Sequence, residues 1–152
     1  MTPPGVMSKR ADTITLRLAK PEEHERLEEL QRRASLELPE YREDLLANPD
    51  AIHLPPAQIA NGQVIVAEFA GEIAGFAAVV GSELDGLFVE PDLWGGGIGR
   101  ALIQAATHQA RLRGLSLTVV ASPSARGFYE SCGFSVEGEE HTRFGLGLRM
   151  SK

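Results

Sequence analysis

The residues best suited to chemistry lie in two short stretches. The first is EPDLWGGGIGRALI, residues 90–103, with Gly95, Gly96, Gly97 and Gly99 filling four of five positions. A chain gives up that much backbone entropy where something must approach the main chain closely. A strand-like run, Leu87–Val89, precedes the glycines, and an amphipathic helical pattern begins among them. Strand, glycine turn and helix together point unpaired N–H groups and a positive helix end at one spot, an anion site whose commonest occupant is phosphate. A side chain on these residues would hold a phosphate away from the backbone. The second stretch is SARGFYESCGF, residues 124–134, where Tyr129 offers a phenol and Cys132 the chain's one thiol.

Phosphate-binding loops come in distinguishable forms. A P-loop needs Lys followed by Ser or Thr after its glycines, and none follows here. The dinucleotide fingerprint fails at its third glycine, where Arg100 or Leu102 stands, and the preceding hairpin pattern does not suit a βαβ unit. The third form is a site for the pyrophosphate of coenzyme A.

With that, the residues carry a resemblance. WGGGIGRALI is similar to the acetyl-CoA motif of the GNAT superfamily of N-acetyltransferases, [QR]-x-x-G-x-[GA], with Gly97 and Gly99 at its two small positions. The later stretch resembles a second signature, A-x-x-F-Y-x-x-x-G-F, with Ala125, Phe128, Tyr129, Gly133 and Phe134 in register. The resemblance runs from about Thr13 to Met150. It implies acetyl-CoA as cosubstrate, bound by Leu87, Phe88, Val89, Trp94, Gly95, Gly96, Gly97, Ile98, Gly99, Arg100, Ser122, Phe128 and Tyr129. It also implies direct transfer of acetyl to a primary amine in a ternary complex. Tyr129 would then be the acid for the leaving thiolate, and a backbone N–H, that of Val89, the oxyanion donor. Trp94 stands where the family usually has Gln or Arg, and Ser122 where an Asn often contacts the cofactor.

A general base would complete such a site. Glu83 and Asp85 share strand parity with Leu87 and Val89, so an unbroken strand sets both acids beside the reacting carbonyl. Ordered water is the alternative base. His24, His53, His108 and His141 show no metal-ligand spacing, and one cysteine builds no thiolate cluster, so no metal site is expected. Cys132 reads as a buried small hydrophobe.

The elements that must position these groups follow from periodicity. TITLRL (residues 13–18) alternates as a half-buried strand, and a helix follows with Leu27, Leu30 and Ala34 on its buried stripe. A short second helix spans PEYREDLLANPD, and HLPPAQIANG reads as an irregular loop. Two strands about Ala70-Gly71 form a hairpin, and a third ends at Pro91. The glycine-led helix runs to about Arg113. Ile98, Ala101, Leu102, Ala105 and Leu112 lie on its apolar face, and Arg100, Gln104, His108 and Arg111 on the other. A fifth strand over residues 115–121, a short helix and two closing strands complete a mixed α/β (α+β), mostly antiparallel sheet flanked by helices, the GNAT-type acyltransferase fold.

The chain has 152 residues, 43% of them hydrophobic, and a formal net charge of −6. This suits one domain over residues 13–152, with residues 1–12 as a disordered leader. No basic cluster suits nucleic acid, no apolar run suits a membrane, and nothing resembles a secretory signal, so the cytoplasm is expected. The partner is an amine acceptor, a small molecule or a peptide. Its cleft, by the resemblance, lies between residues 36–56 and 137–144. Family members often dimerise through their final strands, which makes a homodimer a further expectation. A non-catalytic acyl-CoA-binding module is the alternative reading, one that would keep the glycine loop without needing Tyr129.

Overall fold

The computed structural model describes residues 13–152; the expected leader, residues 1–12, lies outside the described residues. Among the described residues seven strands form one sheet in the order β1-β2-β3-β4-β5-β7-β6. They are β1 (Thr15–Leu18), β2 (Val64–Phe69), β3 (Glu72–Val80), β4 (Glu83–Val89), β5 (Thr118–Ala121), β6 (Ser135–Thr142) and β7 (Gly145–Ser151). The helices are α1 (His24–Leu36), α2 (Pro39–Ala47), α3 (Pro56–Ala60), α4 (Ile98–Leu112) and α5 (Arg126–Ser131). No helix among the described residues is long and apolar enough to cross a membrane.

Strand alternation divides the apolar residues between two faces. Val64, Val66, Phe76 and Ala78 face one side and pack with Leu27 and Leu30 of α1. Ile65, Ala67, Ala77 and Val79 face the other, with Ile98, Leu102, Ile103 and Ala106 of α4 and Tyr129 of α5. The β2–β3 hairpin turns through Ala70 and Gly71, at φ 53° and 79°, the positive-φ pair that matches strand twist.

Every strand pairing is antiparallel except β4 with β5, which is parallel and meets only at Glu83 and Thr118. Beyond that point β5 diverges and leaves one edge of β4 open. A bulge governs this strand. Ala78 pairs with Gly86 but Val79 pairs with Leu84, so Asp85 is an extra residue in β4. The expected shared parity of Glu83 and Asp85 with Leu87 and Val89 is therefore corrected. Leu84 packs on the α4 side together with Leu87 and Val89, which turns Glu83 to the opposite face.

Three local differences have physical causes. The expected irregular loop contains α3, begun by Pro56, anchored by buried Ile59 and ended near Gly62 at φ 70°. On α4 the buried stripe is Ile98, Leu102, Ile103, Ala106, Thr107 and Ala110. Leu112 is 74% exposed because it lies on the flank of the helix turned away from that stripe, which is still buried at Ala110. The fifth strand begins at Thr118, three residues later than expected, since the chain is still leaving that turn at Leu115.

Candidate active site

The open edge of β4, the glycine turn and α5 enclose a cleft of about 560 Å³. Its walls are Leu87, Phe88 and Val89 of β4, Leu93, Trp94, Gly95 and Gly97 of the glycine loop, the first turn of α4, and Ala125, Phe128 and Tyr129. The end of α1 closes the remaining side through Ala34, Ser35 and the following Leu38.

The loop geometry follows from its glycines. Gly95 and Gly97 take φ of 84° and 88°, a left-handed conformation that costs other residues roughly 1–2 kcal/mol. Gly97 is also the N-cap of α4, with its carbonyl accepting the Ala101 N–H at 3.0 Å. The N–H groups of Ile98, Gly99 and Arg100 that follow have no intrahelical partner, as at any helix start. Gly99 serves packing: a Cβ there would lie 3.2 Å from the Phe128 ring and 3.9 Å from Val89. Glycine is thus favoured by backbone conformation at two positions and by the close approach of α4 to the Phe128 ring at a third.

Hydrogen bonds tie the walls together. Arg100 donates to the carbonyl and hydroxyl oxygens of Ser131 at 2.9 and 3.0 Å, fastening α4 to α5. Trp94 Nε1 donates to the Val89 carbonyl at 2.8 Å. Behind the cleft, Glu90 accepts from Arg33 at 3.0 and 2.8 Å and from Arg26 at 3.3 Å. These guanidinium groups, Arg33 above all, hold the Glu90 carboxyl below its usual range.

The polarity of the open edge can be worked out. Glu90 N–H donates to Ala74 of β3 at 2.8 Å. Because peptide groups alternate along a strand, those of Val89 and Leu87 face away from β3, into the gap that β5 leaves. Tyr129 stands across the cleft, 8% exposed, with its ring edge-on to Phe128 and Phe134 at centroid distances of 5.2 and 5.4 Å. Burial pushes its hydroxyl well above the ordinary phenol range.

Of the residues expected from sequence, Leu87, Phe88, Val89, Trp94, Gly95, Gly97, Ile98, Gly99, Arg100, Phe128 and Tyr129 line this one cleft. Gly96 belongs to the loop but does not line it. Ser122 does not line it either; its hydroxyl lies 3.1 Å from that of Ser124 and faces Tyr41. Glu83 and Asp85 are outside the lining, and Asp85 instead accepts from Gln58 at 3.0 Å. Ala34, Ser35 and Leu38 were missed as site residues. Their only local sign is that the buried stripe of α1 ends in small residues there.

The segments expected to border the acceptor do meet. Arg143, in the β6–β7 turn, reaches Asp50 at 3.3 Å and Asn48 at 3.2 Å. Ser124 donates to Glu40 of α2 at 2.5 Å. His24 Nε2 lies 2.6 Å from the Leu54 carbonyl, and His53 lies 3.4 Å from Glu28, which pins the intervening loop to α1. His108 and His141 are exposed, Cys132 is buried, and no group of metal-binding side chains occurs among the described residues.

Known proteins share this architecture. A GCN5-related N-acetyltransferase from Rhodopseudomonas palustris superposes with a TM-score of 0.77 at 28% identity, covering 92% of this chain and 95% of its own. PaiA N-acetyltransferase of Thermoplasma acidophilum, solved with coenzyme A, gives 0.71 at 20% identity over 92% and 98% of the two chains, a likeness of fold. In sequence, the peptidyl-lysine N-acetyltransferase YjaB of Salmonella typhimurium is 40% identical over 68 residues. That match spans 44% of this chain and 46% of YjaB, so under half of the curated relative's length is covered. The acetyltransferase (GNAT) domain family matches residues 38–151, from the α1–α2 junction through β7, and the chain belongs to that family.

Proposed function

We propose that the protein is an acetyl-CoA-dependent N-acetyltransferase that moves an acetyl group to a primary amine by direct attack. The observation that carries this reading is the joining, in one cleft, of a helix-start N–H cluster with an unpaired strand edge. The first suits a pyrophosphate, and the second suits the amides of a pantetheine arm in strand-like pairing. Tyr129 then stands beside the sulfur. The membership of the chain in the GNAT family supports the same assignment.

The chemistry follows from the groups present. The neutral amine attacks the thioester carbon, forming a C–N bond, and the C–S bond breaks to release thiolate. Val89 N–H, on the open edge, donates to the oxyanion. The Tyr129 hydroxyl donates a hydrogen bond to the departing sulfur. Full proton transfer is opposed by energetics, since a free thiol has a pKa near 8.5 and an ordinary phenol one near 10, and burial moves Tyr129 further up. Tyr129 therefore stabilises the thiolate while staying protonated, and solvent supplies the proton. Neither Glu83 nor Asp85 lines the cleft, and water is the base in this reading, taking the proton of the amine.

A lysine side chain is the first acceptor to test, because the relative from Salmonella is named a peptidyl-lysine acetyltransferase. The experiment is thiol release from acetyl-CoA in the presence of a lysine peptide, a polyamine or a free amino acid. Amine-dependent release of CoA with one acetylated product is expected. Binding of acetyl-CoA without release under every amine would contradict catalysis and leave a binding module.

A further inference from the structure

The carbonyl of Val89 lies on the open edge of β4, yet it already accepts a hydrogen bond from within the chain. Trp94 Nε1 donates to it at 2.8 Å, and an indole nitrogen can only donate. The bond closes a loop from Val89 to Trp94 that contains the 3-10 turn Pro91–Leu93. It therefore ties the glycine turn, where a phosphate would sit, to the residue whose N–H would meet the thioester carbonyl. The ring itself is 49% exposed and forms part of the cleft wall. Two consequences follow. The span between the two ends of the cofactor site is fixed before anything binds. A strand-like partner running along β4 finds the Val89 N–H free but the carbonyl shared with an indole held against it, so its pairing is favoured at the N–H and hindered at the oxygen.

We propose that Trp94 is a positioning residue that sets the register of the cofactor arm, its indole N–H remaining on the Val89 carbonyl when coenzyme is bound. This rests on the acetyl-CoA reading above. A ring that merely walls the cleft would serve equally well as phenylalanine. A register stop needs the N–H.

Trp94 is the only tryptophan, so the indole N–H of ¹⁵N-labelled protein gives one resonance. Its exchange with water is measured free and with saturating CoA, and protection in both states is expected. Trp94→Phe should then keep the CoA Kd within about threefold while kcat for CoA release with a lysine peptide falls about tenfold, the size of one lost hydrogen bond. Trp94→Gln, which restores an N–H donor, should recover most of the rate. Free exchange of the indole N–H in the CoA complex would overturn the proposal. So would an unchanged kcat in Trp94→Phe, or a loss confined to Kd. If no amine supports release, the exchange measurement decides alone. Absence of CoA binding by the wild type would appear in the titration itself and would remove the underlying reading together with this one.

Discussion

Arg33 grips both carboxylate oxygens of Glu90, at 3.0 and 2.8 Å, one residue past the strand position that would face the thioester. The pair joins the last turn of α1 to the end of β4, and Arg26 adds a third contact at 3.3 Å. The cleft wall made by Ala34 and Ser35 and the wall made by Leu87–Val89 are thereby held at a fixed separation. A bidentate pair of this kind contributes more than a surface pair with a single contact.

Replacing Glu90 with Gln is expected to destabilise the fold by about 1 kcal/mol, a drop of roughly 2–4 °C in Tm for a chain of this size. The pH dependence has a definite sign. Glu90 and Glu23 both sit below their ordinary values in the fold, because of Arg33 and Arg17 respectively. Their stabilisation is present above the unfolded carboxylate pKa, about 4.3, and is lost as pH falls through their lower folded values. Thermal melts of wild type and Glu90→Gln from pH 7 to pH 3 should converge towards the acid end. A constant difference across that range would count against the pair.

Tyr129→Phe should lower kcat by about tenfold to a hundredfold with the acetyl-CoA Kd nearly unchanged. Because burial raises the Tyr129 pKa, the hydroxyl stays protonated through the working range, and no alkaline limb near pH 9 should disappear in the variant. Steady-state rates against pH for both proteins test this. A wild-type limb that vanishes in Tyr129→Phe would restore proton transfer as its role.

Gly97→Ala places a methyl group on a residue at φ 88°. A loss of roughly 1–2 kcal/mol in stability is expected, along with weaker acetyl-CoA binding because the first N–H groups of α4 are re-aimed. Gly96 has no positive φ, and a Cβ there would lie 3.3 Å from the Leu93 carbonyl, so Gly96→Ala should affect both quantities less. Calorimetric denaturation and titration of the two variants would reverse this account if Gly96→Ala proved the more damaging.

Glu83→Gln and Asp85→Asn should each retain kcat within about twofold, since neither residue lines the cleft and surface changes away from such sites have small effects. A loss of two orders of magnitude in either, with an alkaline shift of the rate profile, would reinstate a carboxylate base.

How much of this was readable in the sequence depends on the range of the interaction concerned. The glycine turn and the Phe128-Tyr129 pair are local signals, and the structure brings them to the same cleft. The strand order of the hairpin and the buried stripe Leu27, Leu30 and Ala34 are local too. The bulge at Asp85 is not, because an inserted residue looks like any other member of an alternating run until the partner strand is known. The α1 wall of the cleft likewise depends on Arg33 finding Glu90, 57 residues away. Leu112 belongs to a broad apolar arc of α4, and periodicity does not tell which part of that arc meets the sheet; the buried part is centred on Leu102 and Ala106.

The most direct test of the account is calorimetric titration of the purified protein with acetyl-CoA, with ATP as the phosphate-bearing control. The account predicts saturable one-to-one binding of acetyl-CoA and much weaker binding of ATP, which lacks the pantetheine arm that pairs with β4. No heat with acetyl-CoA, or equal affinity for the two, would contradict the assignment of the cleft.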